Sequence, residues 1–180
     1  MLNSVVIGNG KSREGKDLKT IQNANIIACN WFFKHEFEPD VLITSDEDIT
    51  NYILKMYPNF RCHYKAKNNY SSGATGTRVA IDKFNSDNVF LVGMDFFGID
   101  GKVNNVYSGE LYYTPENFIA PDSNEWQTQF EEIIRERVDV NFYHVDPLNE
   151  ISPNRLLKLN NFHQLTYKGM VDKLSKGEIK

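Results

Sequence analysis

Val89-Phe90-Leu91-Val92-Gly93-Met94-Asp95 is the stretch on which the fold turns. Four β-branched, aromatic or aliphatic residues run without a polar break and stop at a glycine and a carboxylate, the pattern of a strand buried on both faces that ends in a tight turn. The same pattern recurs toward the amino terminus. Val5-Val6-Ile7 stops at Gly8-Asn9-Gly10-Lys11-Ser12, Asn25-Ile26-Ile27-Ala28-Cys29-Asn30 follows, and Val41-Leu42-Ile43-Thr44 comes after Pro39. Weaker runs at 60–65 and 140–145 add two more expected strands.

Helical spacing fills the intervals. Thr44-x-x-Glu47 reads as a capping box, with Ile49, Tyr52, Ile53 and Met56 on one face of a helix over 46–57 that Pro58 stops. Ser71-Ser72-Gly73 opens a second helix with Ala74, Thr77, Ile81 and Phe84 on one face. Asp122-x-x-Glu125 caps a third, whose apolar face is Trp126, Phe130, Ile133 and Ile134. From 96 to 121 no period survives. Glycines and asparagines separate Tyr107, Tyr112 and Tyr113, which predicts a lid-like loop. A polar tail over about 160–180, with a helix around 164–175, closes the chain.

Short apolar runs alternating with helices predict an α/β fold: a single-domain, Rossmann-like chain over 1–180, with a mainly parallel sheet and helices on both faces. At 180 residues there is room for one core, and a chain of this size buries about two-thirds of its unfolded surface without staples. A net charge of −4, from 24 acidic and 20 basic side chains, gives no reason to expect nucleic acid as a partner. Cys29 and Cys62 follow no metal-ligand or redox spacing, which suggests reduced thiols. With no basic leader and no long apolar run, the expectation is a cytoplasmic chain without a transmembrane segment. Homo-oligomer assembly stays open.

In open parallel sheets ligands bind beyond the carboxyl ends of the strands, so the residues after each run are the candidates. They are Gly8, Asn9, Gly10 and Ser12 after the first strand, Asn30 after the second, Thr44, Ser45 and Asp46 after the third, and Gly93 with Asp95 after Val92. The glycines of 8–10 would let backbone amides approach an anion, although the third glycine of a dinucleotide fingerprint and the Gly-Lys-Ser/Thr of a P-loop are absent. Ser71, Ser72 and Gly73 offer hydroxyls and free N–H groups at a helix start, suited to a phosphate or carboxylate. Asp95 is placed to accept from a ribose hydroxyl or a base amine, or to hold a divalent ion. Asp46, Glu47 and Asp48 fit the first turn of a helix better than a magnesium cluster. Of His35, His63, His144 and His163, none joins a nucleophile pattern. His144, near the end of a strand, and Tyr107, in the loop, are the two catalytic candidates.

Val6-Ile7-Gly8-Asn9-Gly10-x-Ser12, Cys29-Asn30-x-Phe32, Ser71-Ser72-Gly73 with Ala80-Ile81, and Val89-Phe90-Leu91-Val92-Gly93-Met94-Asp95-Phe96, in that order, resemble the bacterial lipooligosaccharide sialyltransferases. A more distant similarity is to hydroxymethylpterin diphosphokinase-like proteins. The resemblance covers about residues 4–97 and, more loosely, 123–147. It implies a variant Rossmann domain that binds a CMP-activated sugar and transfers it with inversion, without a metal cofactor. Asn9 and Ser72 would then contact the phosphate, Asn30 the donor, Ser71 and Ser72 the sugar carboxylate, and Gly93 with Asp95 the nucleoside. A tyrosine of the loop, Tyr107, would steady the leaving phosphate. The family's general base is a His-Ser pair just before the helix that begins here near Ser123, where this chain reads Ile119-Ala120-Pro121-Asp122-Ser123. Phe97 replaces a phosphate-binding tyrosine, Thr44 or Ser45 replaces an asparagine, and the stretch before Ser71 is shorter. Losing the base removes a contribution of roughly 10²–10⁴ in rate, which points to altered chemistry or to binding without turnover. The pterin-kinase likeness implies the alternative: magnesium held by Asp95 and Asp46 for diphosphate transfer.

Overall fold

The computed structural model describes residues 1–32, 36–57, 63–65 and 70–176. Seven strands form one sheet: β1 (Asn3–Ile7), β2 (Asn25–Cys29), β3 (Val41–Thr44), β4 (His63–Lys65), β5 (Asn88–Val92), β6 (Asn141–Val145) and β7 (Phe162–Leu165). They lie in the order β4-β3-β2-β1-β5-β6-β7, and all neighbouring pairs are parallel. The chain steps outward from β1 to β4, then crosses back to β5 on the other side of β1. The carboxyl ends of β1 and β5 therefore part into loops that leave in opposite directions, which is where open α/β sheets keep their ligands. The expected single-domain α/β, Rossmann-like fold is what the chain forms.

Burial on both faces explains the unbroken apolar runs. Val6, Ile27, Ile43 and Leu91 face a core completed by α2 (Ser72–Asp82) and α3 (Asn124–Glu136), with Ala74, Ala80, Phe130 and Ile133 filling it. Val5, Ile7, Phe90 and Val92 face the other way onto Leu18, Phe32, Met170 and Leu174. A smaller cluster of Trp31, Leu42, Ile49, Ile53 and Tyr107 sits under α1 (Glu47–Met56). Gly76 lets α2 approach the sheet closely. A Cβ there would come to 3.0 Å from Val6 and 3.1 Å from Ile27.

The ends of the helices depart from the sequence reading in two places. The cap of α1 is Asp46, whose Oδ1 accepts from the N–H of Asp48 and Ile49, while Thr44 pairs with Thr50 at 2.7 Å. A carboxylate two or three residues from the free amides beats a threonine that the sheet has already placed. At α3 the cap is Ser123, without a side-chain bond to the backbone, and Asp122 closes a local turn on Asn124 N–H. Ser71 does cap α2, accepting from Ala74 N–H at 3.1 Å.

The stretch read as a polar tail is an integral strand and helix. Phe162 to Leu165 pair with β6, and α5 (Tyr167–Lys176) buries Met170 and Leu174 completely against the outer face of the sheet. A short helix α4 (Asn154–Leu157) precedes them. Asn161 anchors the approach, its amide shared among the carbonyls of Ile134, Arg137 and Val140 at 3.0–3.1 Å. His35, Pro58, Cys62 and the first half of the expected strand at 60–65 lie outside the described residues, as does the His63 side chain. Among the described residues no helix is long and apolar enough to cross a membrane.

Candidate ligand-binding site

The glycine loop after β1 is built around the end of β5. Gly8 N–H donates to the Val92 carbonyl and Gly10 N–H to the Gly93 carbonyl, both at 2.8 Å. A Cβ on Gly8 would lie 2.5 Å from the Gly93 carbonyl oxygen, and one on Gly10 would lie 2.4 Å from Asp95 Oδ2. Gly93 itself has φ +65, a conformation that favours glycine. Next in the chain, Lys11 N–H donates to Asn104 Oδ1 at 2.8 Å and Ser12 N–H to Asp95 Oδ2 at 3.0 Å. These amides, expected to face an anion, are thus taken by the protein. Asp95 supplies the anion, and Asn104 Nδ2 holds the same oxygen at 2.9 Å.

Across from this loop stands the amino end of α2. Ser72 Oγ lies 3.0 Å from Ser45 Oγ and 3.3 Å from Asn30 Oδ1, which ties the ends of β3, β2 and α2 together. Asn30 adopts φ +54, a left-handed conformation that asparagine tolerates, and its N–H donates to the Ile43 carbonyl. Among the described residues no acceptor takes the N–H of Ser72 or Gly73, the two free donors at the positive end of the helix.

Residues 96–121 form the third wall. Asn104 meets Lys11, Val106 N–H donates to the Asn9 carbonyl, Asn9 Nδ2 donates to Tyr113 OH at 2.9 Å, and Glu116 pairs with Lys11. Four ties to residues 9–11 hold the segment against the glycine loop, where the sequence suggested a loosely held lid. Burial pushes the Tyr113 phenol up from its ordinary range, with the Asn30 and Asn9 amides pulling the other way. Phe96 carries φ +60, and Phe97 N–H donates to the Asp95 carbonyl at 2.7 Å across it. This tight, strained turn sends the Asp95 side chain into the glycine loop and the Phe96 ring edge-on against Phe130 at 5.0 Å.

Between these walls lies an open cavity of about 370 Å³, within the range of small-molecule sites. Its lining combines polar groups, among them Asn9, Asn30, Ser45, Ser72, Asp95 and Tyr113, with apolar ones, among them Met94, Phe96, Phe97, Val103, Trp126 and Phe130. Trp126, expected in the core face of α3, stands at this cavity and keeps 38% of its surface exposed. Cys29 also lines it, and burial pushes its thiol up to about 12 against the pull of Arg13, so the sulfur is a neutral wall atom.

Gly8, Asn9, Gly10, Asn30, Ser71, Ser72, Gly73, Gly93 and Asp95 all line the cavity. Ser12 does not; its contribution is the backbone bond to Asp95. The two catalytic candidates lie elsewhere. Tyr107 is buried, its hydroxyl accepting from Arg13 Nη2 at 2.6 Å, and the Arg13 guanidinium stacks on its ring while pairing with Glu36 at 3.1 Å. His144 is fully buried beneath Phe96, with Nδ1 2.6 Å from Ser152 Oγ, and Gln164 donates to the same oxygen. Burial lowers its pKa from 6.5 to about 4, partly offset by the Asp95 carboxylate and the Met94 backbone. Neither residue faces the cavity.

Asn104 and Tyr113 line the cavity and escaped the sequence reading as site residues, whereas Ser45, also in the lining, is among its strand-end candidates. Tyr113 was visible as one of three loop tyrosines, but nothing local ranks one phenol over another. Asn104 carries no local pattern, since it bridges Asp95, and Phe97 of its own irregular segment, to the distant Lys11. Compared with protein-family models, with curated proteins and with solved structures, the chain gives no match.

Proposed function

We propose that this cavity binds CMP or a CMP-activated sugar and that the chain is a sialyltransferase-like glycosyltransferase domain without that family's histidine base. The observation that carries the reading is the convergence of the strand-end residues, chosen from sequence, on one cavity at the β1–β5 switch point. The mixed lining suits a nucleotide, with aromatic and apolar groups for a base and polar groups for sugar and phosphate. In this reading the phosphate lies at the amino end of α2, on Ser72 and the free N–H groups, and the phenol supplied by the loop is Tyr113, in place of Tyr107.

Among the described residues the titratable side chains that line the cavity are Asp95, Cys29 and Tyr113. Asp95 is held by Ser12 and Asn104, while burial keeps both the thiol and the phenol protonated. None is an obvious replacement for a histidine base, so a second reading is a ligand-binding relative without turnover. Tight CMP binding with no hydrolysis or transfer of CMP-sugar over long incubation favours the second; release of CMP at a rate well above the uncatalysed background favours the first. The magnesium-dependent alternative needs Asp46, whose carboxylate caps α1. ATP binding that is identical with magnesium and with excess chelator counts against it.

A further inference from the structure

Two side chains at the β1–β5 switch, both in the cavity lining, each keep one buried oxygen without a partner among the described residues, Asn9 Oδ1 and Asp95 Oδ1. Their other atoms are committed: Asn9 Nδ2 to Tyr113, and Asp95 Oδ2 to Ser12 and Asn104. The backbone donors of Gly8, Gly10, Lys11 and Ser12 are committed as well. This end of the cavity therefore presents two unpartnered acceptors, one of them on a carboxylate, and of the amides of residues 8–12 only that of Asn9 has no acceptor among the described residues. Toward α2, among the described residues, no acceptor takes the N–H of Ser72 or Gly73, and no carboxylate other than Asp95 lines the cavity. A buried acceptor left dry is costly, and only a group with hydrogens to give removes that cost.

From this polarity we infer that the glycine loop, the phosphate cradle of many doubly wound folds, is here the polyol end of the site. It takes a pair of ligand hydroxyls, one on Asn9 Oδ1 and one on Asp95 Oδ1, and the ligand's phosphate points away to α2. Asn9 then acts as an acceptor for a hydroxyl and makes no phosphate contact. The inference rests on the cavity being a nucleotide site, for which the pair of hydroxyls is the ribose 2′,3′-diol.

The test is calorimetry of the full chain with CMP and with 2′,3′-dideoxy-CMP, on the wild type and on Asp95→Asn. Removing both hydroxyls should weaken binding to the wild type by about tenfold or more, the usual effect of stranding buried acceptors. Asp95→Asn, which keeps an oxygen for Ser12 and turns an amide toward the ligand, should weaken CMP by a similar factor and leave dideoxy-CMP nearly unchanged. A phosphate on the glycine loop makes opposite predictions. Dideoxy-CMP would bind as well as CMP, and removing the carboxylate charge would tighten both; either result overturns the inference while leaving the nucleotide site standing. Binding of neither ligand to the wild type would bring down the nucleotide reading and this inference together. The wild-type comparison needs no variant, so a failure of Asp95→Asn to fold does not shelter the inference.

Discussion

Gly8→Ala separates two reasons for a glycine at the end of β1. If the residue is small so that a ligand can approach, alanine should cost affinity and spare stability. The structure makes the opposite prediction, because the added methyl would sit 2.5 Å from the Gly93 carbonyl oxygen and 2.8 Å from Met94 Sδ. Ordinary contact with carbon is about 3.5 Å or more, so the overlap with the carbonyl approaches 1 Å. The thioether can swing aside. The carbonyl cannot, since it accepts from Gly10 N–H at 2.8 Å and the adjoining Val92 carbonyl accepts from Gly8 itself. Overpacking typically costs 1–3 kcal/mol, and with an immobile neighbour the upper end applies, about 3 kcal/mol. For a chain of this size that is a fall of roughly 6–12 °C in Tm. Urea denaturation without ligand, followed by circular dichroism, measures it. Gly73→Ala is the control: its nearest neighbour is the Met94 Sδ at 2.7 Å, a flexible end, so about 1 kcal/mol is expected. A Gly8→Ala protein within about 0.5 kcal/mol of wild type, or no less stable than Gly73→Ala, would refute the argument that the crossing of β1 and β5 demands this glycine.

Leu174→Ala should cost about 2–5 kcal/mol, since the side chain is fully buried on the outer face of the sheet; a loss under 1 kcal/mol in urea denaturation would mean that α5 is a detachable tail. His144 titrates at about 4 in the folded chain and near 6.5 when unfolded, so the unfolded state binds its proton first as pH falls. Its contribution is therefore full above pH 6.5 and is lost progressively between 6.5 and 4, by about 3 kcal/mol in all. His144→Gln should flatten that part of the stability profile relative to wild type, and parallel profiles for the two proteins would contradict the assignment. Tyr107→Phe should destabilise the fold by roughly 1.5–3 kcal/mol through the lost Arg13 bond, whereas Tyr113→Phe should weaken CMP binding with a smaller effect on urea stability; the reverse pattern would put Tyr107 back at the ligand.

The sheet was legible because parallel strands buried on both faces leave unbroken apolar runs, and β1, β2, β3 and β5 each end where glycine or polar residues begin. β7 was not, since Phe162-His163-Gln164-Leu165 lies at the sheet edge with only Phe162 buried. An edge strand needs no apolar run. The helix caps were misread where a closer carboxylate was available, as Asp46 shows against Thr44. The strand-end rule located the cavity through Asn9, Asn30 and Asp95 because topology alone fixes where strands end, and the helix-start reading added Ser72. It could not assign roles within the cavity. Tyr107 and Tyr113 are six residues apart in the same irregular segment, and the choice between them depends on Arg13 and Asn9, whose contacts span about a hundred residues of sequence. The glycines of 8–10 suggested an anion site, whereas the structure fills that place with Asp95, a partner that no local motif announces.

Titration calorimetry of the full chain with CMP, UMP, GMP and ATP tests the central claim most directly. The account predicts saturable heat with CMP, clearly weaker responses to the purine nucleotides, and a loss of about five- to tenfold or more in CMP affinity in Asp95→Ala from the missing buried acceptor. Equal and negligible heats with all four nucleotides would contradict it.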